Sequence, residues 1–262
     1  MKAFNLLLLL LLSLMLSACS NNITIKLNAI DAEQIAPVKV HIFEHILAQP
    51  YLIETKNTLF VVDPGAAGNE KMIIEKMQQL GRKDLAFIFI THSHFDHYGA
   101  AAALKTKYKV PVIIQKEDAL AMAAGETRLP KVNGWGYVGR FFLPLGELLW
   151  PPGKIKADIF FDKEFNFKRF GVDAIALHTP GHTPGSSVLV LNDKFIFAGD
   201  LISAKRGKPT VQRFYADDWS QIAESFYKVK TTEPELVFPG HGKPVSGSEF
   251  QKLVPVVIPS TE

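Results

Sequence analysis

Short apolar runs, rich in β-branched and aromatic residues, recur along most of this chain and are separated by polar turns. Runs of this length and composition predict buried β-strands. We predict strands at 38–43, 51–55, 59–62, 86–90, 110–114, 158–161, 172–177, 187–191, 195–197 and 236–238.

Helical patterns lie between these runs. Asn69 is a candidate N-cap for a helix that reaches Leu80, with Gly81 just past its end. Further helices are predicted over 99–107, 116–124 and about 218–230. Strands followed by helices in each half of the chain predict an α/β (α+β) domain, with two packed sheets and helices outside them.

The segment 127–156 interrupts this alternation. It combines many aromatic and leucine side chains with several glycines and prolines, so we predict that it is too broken for one regular helix. One interpretation is a cap that lines an apolar substrate pocket. The others are an insertion packed on the core and a contact with a membrane surface.

The N-terminal segment resembles a secretory signal. Leu6 to Leu12 is an unbroken leucine run that is too short to span a bilayer, which needs about 20 apolar residues. The sequence 16–19, Leu-Ser-Ala-Cys, resembles a bacterial lipobox, in which cleavage precedes the cysteine and the cysteine carries the lipid. An ordinary signal peptide or membrane anchor is the alternative.

These features predict a signal peptide at 1–18, a lipid-anchored tether at 19–36 and a folded domain at 37–262. Ser20 resembles the residue that follows the lipidated cysteine in outer-membrane lipoproteins. We therefore expect a lipoprotein of the bacterial cell envelope, anchored through Cys19 to the outer membrane and facing the periplasm. Cys19 is the only cysteine, so no disulfide can form within the chain.

Length, composition and charge limit the size of the domain and the kinds of partner that we expect. The 262 residues, 47% of them hydrophobic, are enough for one large domain with a proper core. The net charge of +3 is spread without a basic block, so we expect no nucleic-acid partner.

Residue types that bind metals are concentrated directly after the predicted strand 86–90. Imidazole nitrogens and carboxylate oxygens suit zinc and related divalent ions. Together with later positions in the chain, the candidate ligands are His92, His94, Asp96, His97, His182, Asp200 and His241.

The spacing of these ligands predicts two adjacent sites. His92 and His94 can reach one ion from an extended loop, with His182 completing that site. Asp96, His97 and His241 can form the second site, and Asp200 can bridge the two. Two ions can share a hydroxide that attacks the substrate, and they can stabilise the developing oxyanion. Asp96 is also the candidate proton acceptor.

Four motifs make the chain resemble the metallo-β-lactamase superfamily. They are His-x-His-x-Asp-His at 92–97, the turn at 179–186, Gly199-Asp200, and Pro-Gly-His-Gly at 239–242. The resemblance spans about 38–245 and implies a four-layer αββα sandwich with its metal site at one edge between the sheets. It also implies that Asp63 orients the metal ligands.

Departures from subfamily patterns narrow the predicted reaction. The chain has Asp200 where cysteine-ligand β-lactamases have their cysteine, and His94 where flavodiiron proteins have a glutamate. The stretch after Gly242 is short for the glutathione-binding region of glyoxalase-II-like thioesterases. The tyrosine that lactone hydrolases carry after the bridging aspartate is missing, which leaves Tyr215 or Tyr137 as candidates for its role.

We therefore predict a binuclear hydrolase, with two divalent ions, zinc or else manganese or iron. Its substrate is expected to be a small ester, lactone or thioester with an apolar acyl portion. There are two alternatives. One is a mononuclear iron dioxygenase of the persulfide type, and the other is a non-catalytic lipid-anchored metal-binding protein.

Overall fold

Two facing β-sheets form the centre of the protein in the computed structural model, which describes residues 22–27, 38–128 and 131–256. In the described part of the chain the strands are β1 (Asn22–Leu27), β2 (Val38–Phe43), β3 (Tyr51–Glu54), β4 (Leu59–Val62), β5 (Leu85–Phe89), β6 (Val112–Gln115), β7 (Lys131–Val132), β8 (Ile159–Phe161), β9 (Glu164–Asn166), β10 (Ala174–His178), β11 (Ser187–Leu191), β12 (Phe195–Ala204), β13 (Thr210–Val211), β14 (Tyr215–Ala216), β15 (Leu236–Gly242) and β16 (Val245–Ser246).

The strands fall into two large sheets and one small one. The first sheet has the order β1-β2-β3-β4-β5-β6-β8, and the second has the order β16-β15-β12-β11-β10-β9, with β13 beside β12. The pair β7 and β14 stands apart. The helices are α1 (Glu70–Gln79), α2 (Phe95–Tyr98), α3 (Ala101–Tyr108), α4 (Lys116–Ala124), α5 (Gly136–Leu149), α6 (Trp219–Lys230) and α7 (Gly247–Phe250).

Side chains of both sheets meet in a central core. Phe60 and Val62 of β4 point into it, together with Leu189 and Leu191 of β11 from the facing sheet. The alternate β4 residue Val61 packs instead on the outer side, against the layer that contains α1 and α3. A strand covered on both faces needs a continuous apolar sequence, as β4 has.

The second sheet is covered in the same way on its outer side. Ile222, Phe226 and Val229 of α6 pack against Val188 and Ile196. Helix, sheet, sheet and helix therefore form four layers, which confirms the αββα sandwich. Within the described residues, none of the helices has the length and apolar character required to cross a bilayer.

Two sequence predictions about local structure were wrong. Residues 22–27 lie inside the predicted tether, yet they form β1, which pairs antiparallel with β2 and places Asn22 opposite Phe43. The segment 127–156 contains one regular helix, α5, with Pro144 inside it. The predicted signal peptide and Cys19 lie outside the described residues.

The glycines of α5 explain why the helix was missed. A Cβ atom on Gly136 would collide with the backbone oxygen of Phe214, and one on Gly139 would collide with the hydroxyl of Tyr215. These glycines therefore mark places where the helix packs closely on β14 and its flanking loop, and they do not end the helix.

Candidate metal centre

All seven predicted ligands lie at one edge of the sandwich, where strands of both sheets end. The loop after β5 carries His92 and His94, and α2 carries Asp96 and His97. From the other sheet, His182 follows β10, whereas Asp200 and His241 lie in the neighbouring parallel strands β12 and β15. The sequence predicted an extended loop for His92 and His94, and His94 is extended, whereas Asp96 and His97 just beyond it lie in the single helical turn α2.

The side chains form two groups of three. Potential ligand atoms of His92, His94 and His182 lie within 4.8 Å of one another, and the same limit holds for Asp96, His97 and His241. These are the two groups that the spacing predicted. A third group, Asp63 with His92 and His97, overlaps them.

Asp200 lies between the two groups. Its Oδ1 is 3.3 Å from Nε2 of His97 and 3.2 Å from Nε2 of His241. Its Oδ2 is 3.4 Å from Nε2 of His182, in the other group. One carboxylate thus has an oxygen toward each set of imidazoles.

Several polar atoms at this edge are buried and make no hydrogen bond of acceptable geometry, even where a neighbouring polar atom lies 3.2 to 3.3 Å away. They include Nε2 of His92, Nε2 of His97 and Oδ1 of Asp200. Buried polar atoms normally have a partner, so a cluster of unpaired ones needs an explanation. Nitrogen and oxygen atoms that face common points suit divalent cations. These residues therefore fit the metal ions that the fold implies.

Burial and local charge set the protonation of the histidines. Burial lowers the pKa of His92 and His182, and it lowers that of His94 to about 4. These three imidazoles are therefore neutral near pH 7, as metal ligands must be.

His97 behaves differently because carboxylates surround it. Burial lowers its pKa, but Asp200, Asp63 and Asp96 outweigh burial and raise the pKa well above the ordinary value. For Asp200, burial alone would raise the pKa. The neighbouring His241 and His97 outweigh the effect of burial and hold that pKa well below its usual range. A cation at this position would replace the proton that His97 carries.

The far side of each imidazole is held by a protein oxygen, which fixes how the ring is turned. Nδ1 of His97 lies 2.8 Å from Asp63, and Nδ1 of His182 lies 3.0 Å from the carbonyl oxygen of Tyr215. Nδ1 of His241 lies 3.1 Å from the carbonyl oxygen of Leu47. In all three rings Nε2 faces the centre.

Asp63 stands directly behind the ligand loop, where the resemblance implied an orienting aspartate. Its carboxylate also accepts hydrogen bonds from the amide of Thr91, at 2.8 Å, and from the Thr91 hydroxyl, at 2.6 Å. The positive φ of 46° at Asp63 turns the chain sharply after β4. The same carboxylate therefore holds both His97 and the start of the ligand loop.

Sequence reasoning missed Asp118, in the first turn of α4. Its buried carboxylate accepts hydrogen bonds from the Ser93 amide, the Gly185 amide and the Thr183 hydroxyl, at 2.7 to 2.8 Å. Acidic residues are common in first turns, so the sequence carried no signal that distinguished this one.

A cavity of about 670 Å³ opens over the cluster. Its floor includes His94, Asp96, Asp200 and His241, and Lys205 and Tyr215 lie at its side. Its apolar wall is supplied mainly by α5 and by the loop after β2, through Ile46, Leu47, Phe142, Leu143, Leu145, Leu149 and Trp150. The interpretation of 127–156 as a cap over the site agrees with this arrangement.

The other tyrosine and histidine residues considered for the site differ in whether they reach the cavity. Tyr215 lines the cavity, whereas Tyr137 is exposed on the other side of α5. Nε2 of His178 lies 2.8 Å from the carbonyl oxygen of Pro184 and supports the turn that carries His182. His41 is buried beside Glu54, away from the site.

Comparison with known proteins agrees with this geometry. The family model described as the metallo-beta-lactamase superfamily matches residues 48–241. The chain belongs to this superfamily. A protein of Methanocaldococcus jannaschii named "Probable metallo-hydrolase" is 26% identical over 74% of this chain and 86% of its own length. A hydroxyacylglutathione hydrolase of Pelagibacter ubique is 29% identical over 76% of this chain and 69% of its own.

Solved structures share the fold of this superfamily member. The B3 metallo-beta-lactamase BLEG-1 has a TM-score of 0.58 and 22% identity, and the match covers 77% of this chain and 90% of that one. A protein solved in a di-iron-bound form has a TM-score of 0.59 and 25% identity, over 79% of this chain and 94% of that one. The superfamily and its relatives support a metallo-hydrolase with divalent metals at the histidine and aspartate clusters.

Proposed function

We propose that this protein is a binuclear metal-dependent hydrolase that cleaves an ester, lactone or thioester with an apolar acyl portion. The observation that carries the proposal is the position of Asp200 between two groups of three ligands, at the floor of an apolar cavity. A site for a single ion would not need a carboxylate with one oxygen toward each group.

The residues divide into two sets of ligands. His92, His94 and His182 would hold one divalent ion, and Asp96, His97 and His241 would hold the other, with one oxygen of Asp200 facing each group. When bound, two such ions lower the pKa of a water molecule and polarise the scissile carbonyl.

Asp96 and Tyr215 have further roles in this proposal. Asp96 lines the cavity, and its Oδ2 is 3.7 Å from Nε2 of His241, so it can orient the attacking water and accept its proton. Burial raises the pKa of Tyr215, and Asp200 and Asp96 raise it further, so the phenol stays protonated. A protonated hydroxyl beside the cavity can donate to the leaving group.

The cavity wall supports an acyl-like substrate. Helix α5 and the loop after β2 line it almost entirely with carbon, and only a few polar groups converge at its floor. Such a combination suits a ligand with one reactive polar end and an apolar remainder. The hydroxyacylglutathione hydrolases among the relatives support a thioester as one member of the substrate class.

The test combines metal analysis with hydrolysis assays on the full chain, purified without chelator. We expect about two ions per chain, zinc first, and turnover of acyl esters, lactones or thioesters that chelation abolishes. Asp96→Asn should lose turnover and one ion, whereas Asp162→Asn, on an exposed surface pair with Lys116, should change neither. One iron per chain, with oxygen consumption in place of hydrolysis, would overturn the proposal and favour a dioxygenase.

A further inference from the structure

Helix α5 is apolar on two opposite sides. At 100° per residue, one side carries Gly139, Phe142, Leu143, Gly146 and Leu149, all of which line the cavity. The opposite side, here called the outer face, carries Tyr137, Phe141, Pro144 and Leu148, and none of these lines the cavity.

The outer face is open to solvent. Phe141 is 78% exposed, Leu148 is 75% exposed and Tyr137 is 64% exposed. Between Gly136 and Leu149 the only charged residues are Arg140 and Glu147, seven positions apart on one flank. A surface helix normally turns polar residues to water. A contiguous exposed apolar patch indicates a surface that binds a protein, a membrane or a ligand.

The charges around the helix indicate an anionic occupant. The cap segment contains five basic residues, Arg128, Lys131, Arg140, Lys154 and Lys156, and one acidic residue, Glu147. Basic residues in the same segment as exposed aromatic and leucine residues are typical of a helix that lies in the interface of an anionic membrane. A face that pairs with a second copy of itself would bring these like charges together.

The first strand begins at the same end of the protein as the cavity. Asn22 pairs with Phe43, the last residue of β2, and the loop that follows carries Ile46, which lines the cavity and is partly exposed. Two residues lie between Cys19 and Asn22, so the Cα atoms of Cys19 and Asn22 can be at most roughly 10 Å apart. A lipid on Cys19, which the sequence predicts, would therefore start close to the cavity rim.

We propose that the outer face of α5 is a membrane-docking face, which rests on an anionic bilayer and turns the cavity rim toward the lipid. The aromatic rings and leucines enter the interface between headgroups and acyl chains, and the basic residues contact the headgroups. This proposal does not depend on the reaction that the site performs.

The experiment measures the depth of Trp135, which is exposed at the start of α5. The full chain is reconstituted into vesicles of phosphatidylglycerol and phosphatidylcholine, with or without bromine on the acyl chains to quench tryptophan fluorescence. The difference between the chain and its Trp135→Phe variant isolates the emission of Trp135. We expect bromine to remove most of this emission, because an interfacial helix lies within about 10 Å of the acyl chains.

Paired variants provide the control. Phe141→Glu with Leu148→Glu should abolish the quenching, and the milder pair Phe141→Ser with Leu148→Ser should reduce it without a charge. Leu120→Glu with Tyr227→Glu places the same charges on α4 and α6, at side chains that are 77% and 49% exposed, and should leave quenching unchanged. Circular dichroism should show the same fold in all of them.

Three results would overturn the proposal. The first is a chain that stays on the vesicles while Trp135 is not quenched, which would mean that only the anchor touches lipid. The second is equal quenching in the chain and in both α5 pairs. The third is an unquenched chain that is dimeric in detergent and becomes monomeric in the glutamate pair, which would assign the outer face to a second copy of the chain.

Discussion

The carboxylate of Asp118 accepts a 2.7 Å hydrogen bond from the amide of Ser93, the residue between the ligands His92 and His94. The same carboxylate accepts from Thr183 and Gly185, next to the ligand His182. One buried charge thus joins the ligand loops of the two sheets. Since hydrogen bonds to an ionised acceptor are stronger than neutral ones, Asp118 fixes the distance between these loops.

We expect Asp118→Asn to loosen the first metal site. The variant loses the charge and turns an amide NH₂ toward at least one donor, which should lower the free energy of unfolding by about 3 kcal/mol. Residues that orient ligands typically change metal affinity by about 10–100-fold, and we expect a loss of this size. Urea denaturation and competition with a zinc chelator measure the two effects. Asp173→Asn, at an exposed carboxylate, should leave both unchanged.

Tyr215 and Tyr137 were both candidates for the tyrosine that donates a proton to the leaving group, and only Tyr215 lines the cavity. Tyr215→Phe should lower kcat by about a hundredfold while leaving KM nearly unchanged, because it removes a proton donor and keeps the ring. Tyr137→Phe should have wild-type kinetics, since Tyr137 lies on the outer face of α5. Steady-state kinetics on one ester substrate test this, and equal kcat values for the two variants would exclude Tyr215 as the donor.

The apolar wall should set the preferred length of the acyl chain. Leu143→Ala enlarges the cavity, so kcat/KM should rise for longer acyl chains relative to shorter ones, by about tenfold per methylene that gains contact. Leu148→Ala removes the same atoms from the outer side of the helix and should keep the original preference. A series of acyl esters of increasing length provides the measurement. An unchanged profile in Leu143→Ala would place the substrate elsewhere.

Glu54 should make the stability of the first sheet depend on pH. Burial raises the pKa of Glu54, but hydrogen bonds from Lys39 and His41 outweigh burial and lower it below the ordinary value. A lowered folded-state pKa gives stability that is present above about pH 4.5 and is lost as the pH falls through the folded-state value.

We therefore expect Glu54→Gln to lower the free energy of unfolding by about 1 kcal/mol near pH 7. The difference from the unmodified chain should shrink as the pH is lowered from 7 to 3, because the carboxyl takes up its proton as the pH falls through the folded-state pKa. Urea denaturation at both pH values measures it, with the exposed Glu224→Gln as the control. A difference that grows in acid would contradict the assigned sign.

The sequence predicted the layers well because buried strands and capped helices leave local patterns. The boundaries of β2, β4 and α4 agree with the predicted 38–43, 59–62 and 116–124. β1 was missed although Ile23, Ile25 and Leu27 alternate as in a strand, because a position next to the leader suggested a tether. Helix α5 was missed because its glycines serve packing against Tyr215 and Phe214, and these contacts are not local in sequence.

The metal site shows the same contrast between features that leave a local sequence pattern and features that depend on contacts distant in sequence. Ligand spacing predicted which residues form each group and that Asp200 would lie between them. It could not predict Asp118, since that role depends on where the start of α4 lies relative to two distant loops. Nor could it predict which tyrosine faces the cavity, because this depends on the packing of α5 against β14.

The separation of His92 and His241, 149 positions apart in the sequence, has a consequence for how the protein is made. The histidine and aspartate clusters draw on both sheets, and β15, which carries His241, is the second-last of the described strands. A nascent chain that stops short of β15 has neither His241 nor the parallel neighbour of β12. Contacts this distant form late, so the second cluster becomes complete only after nearly the whole domain has been synthesised.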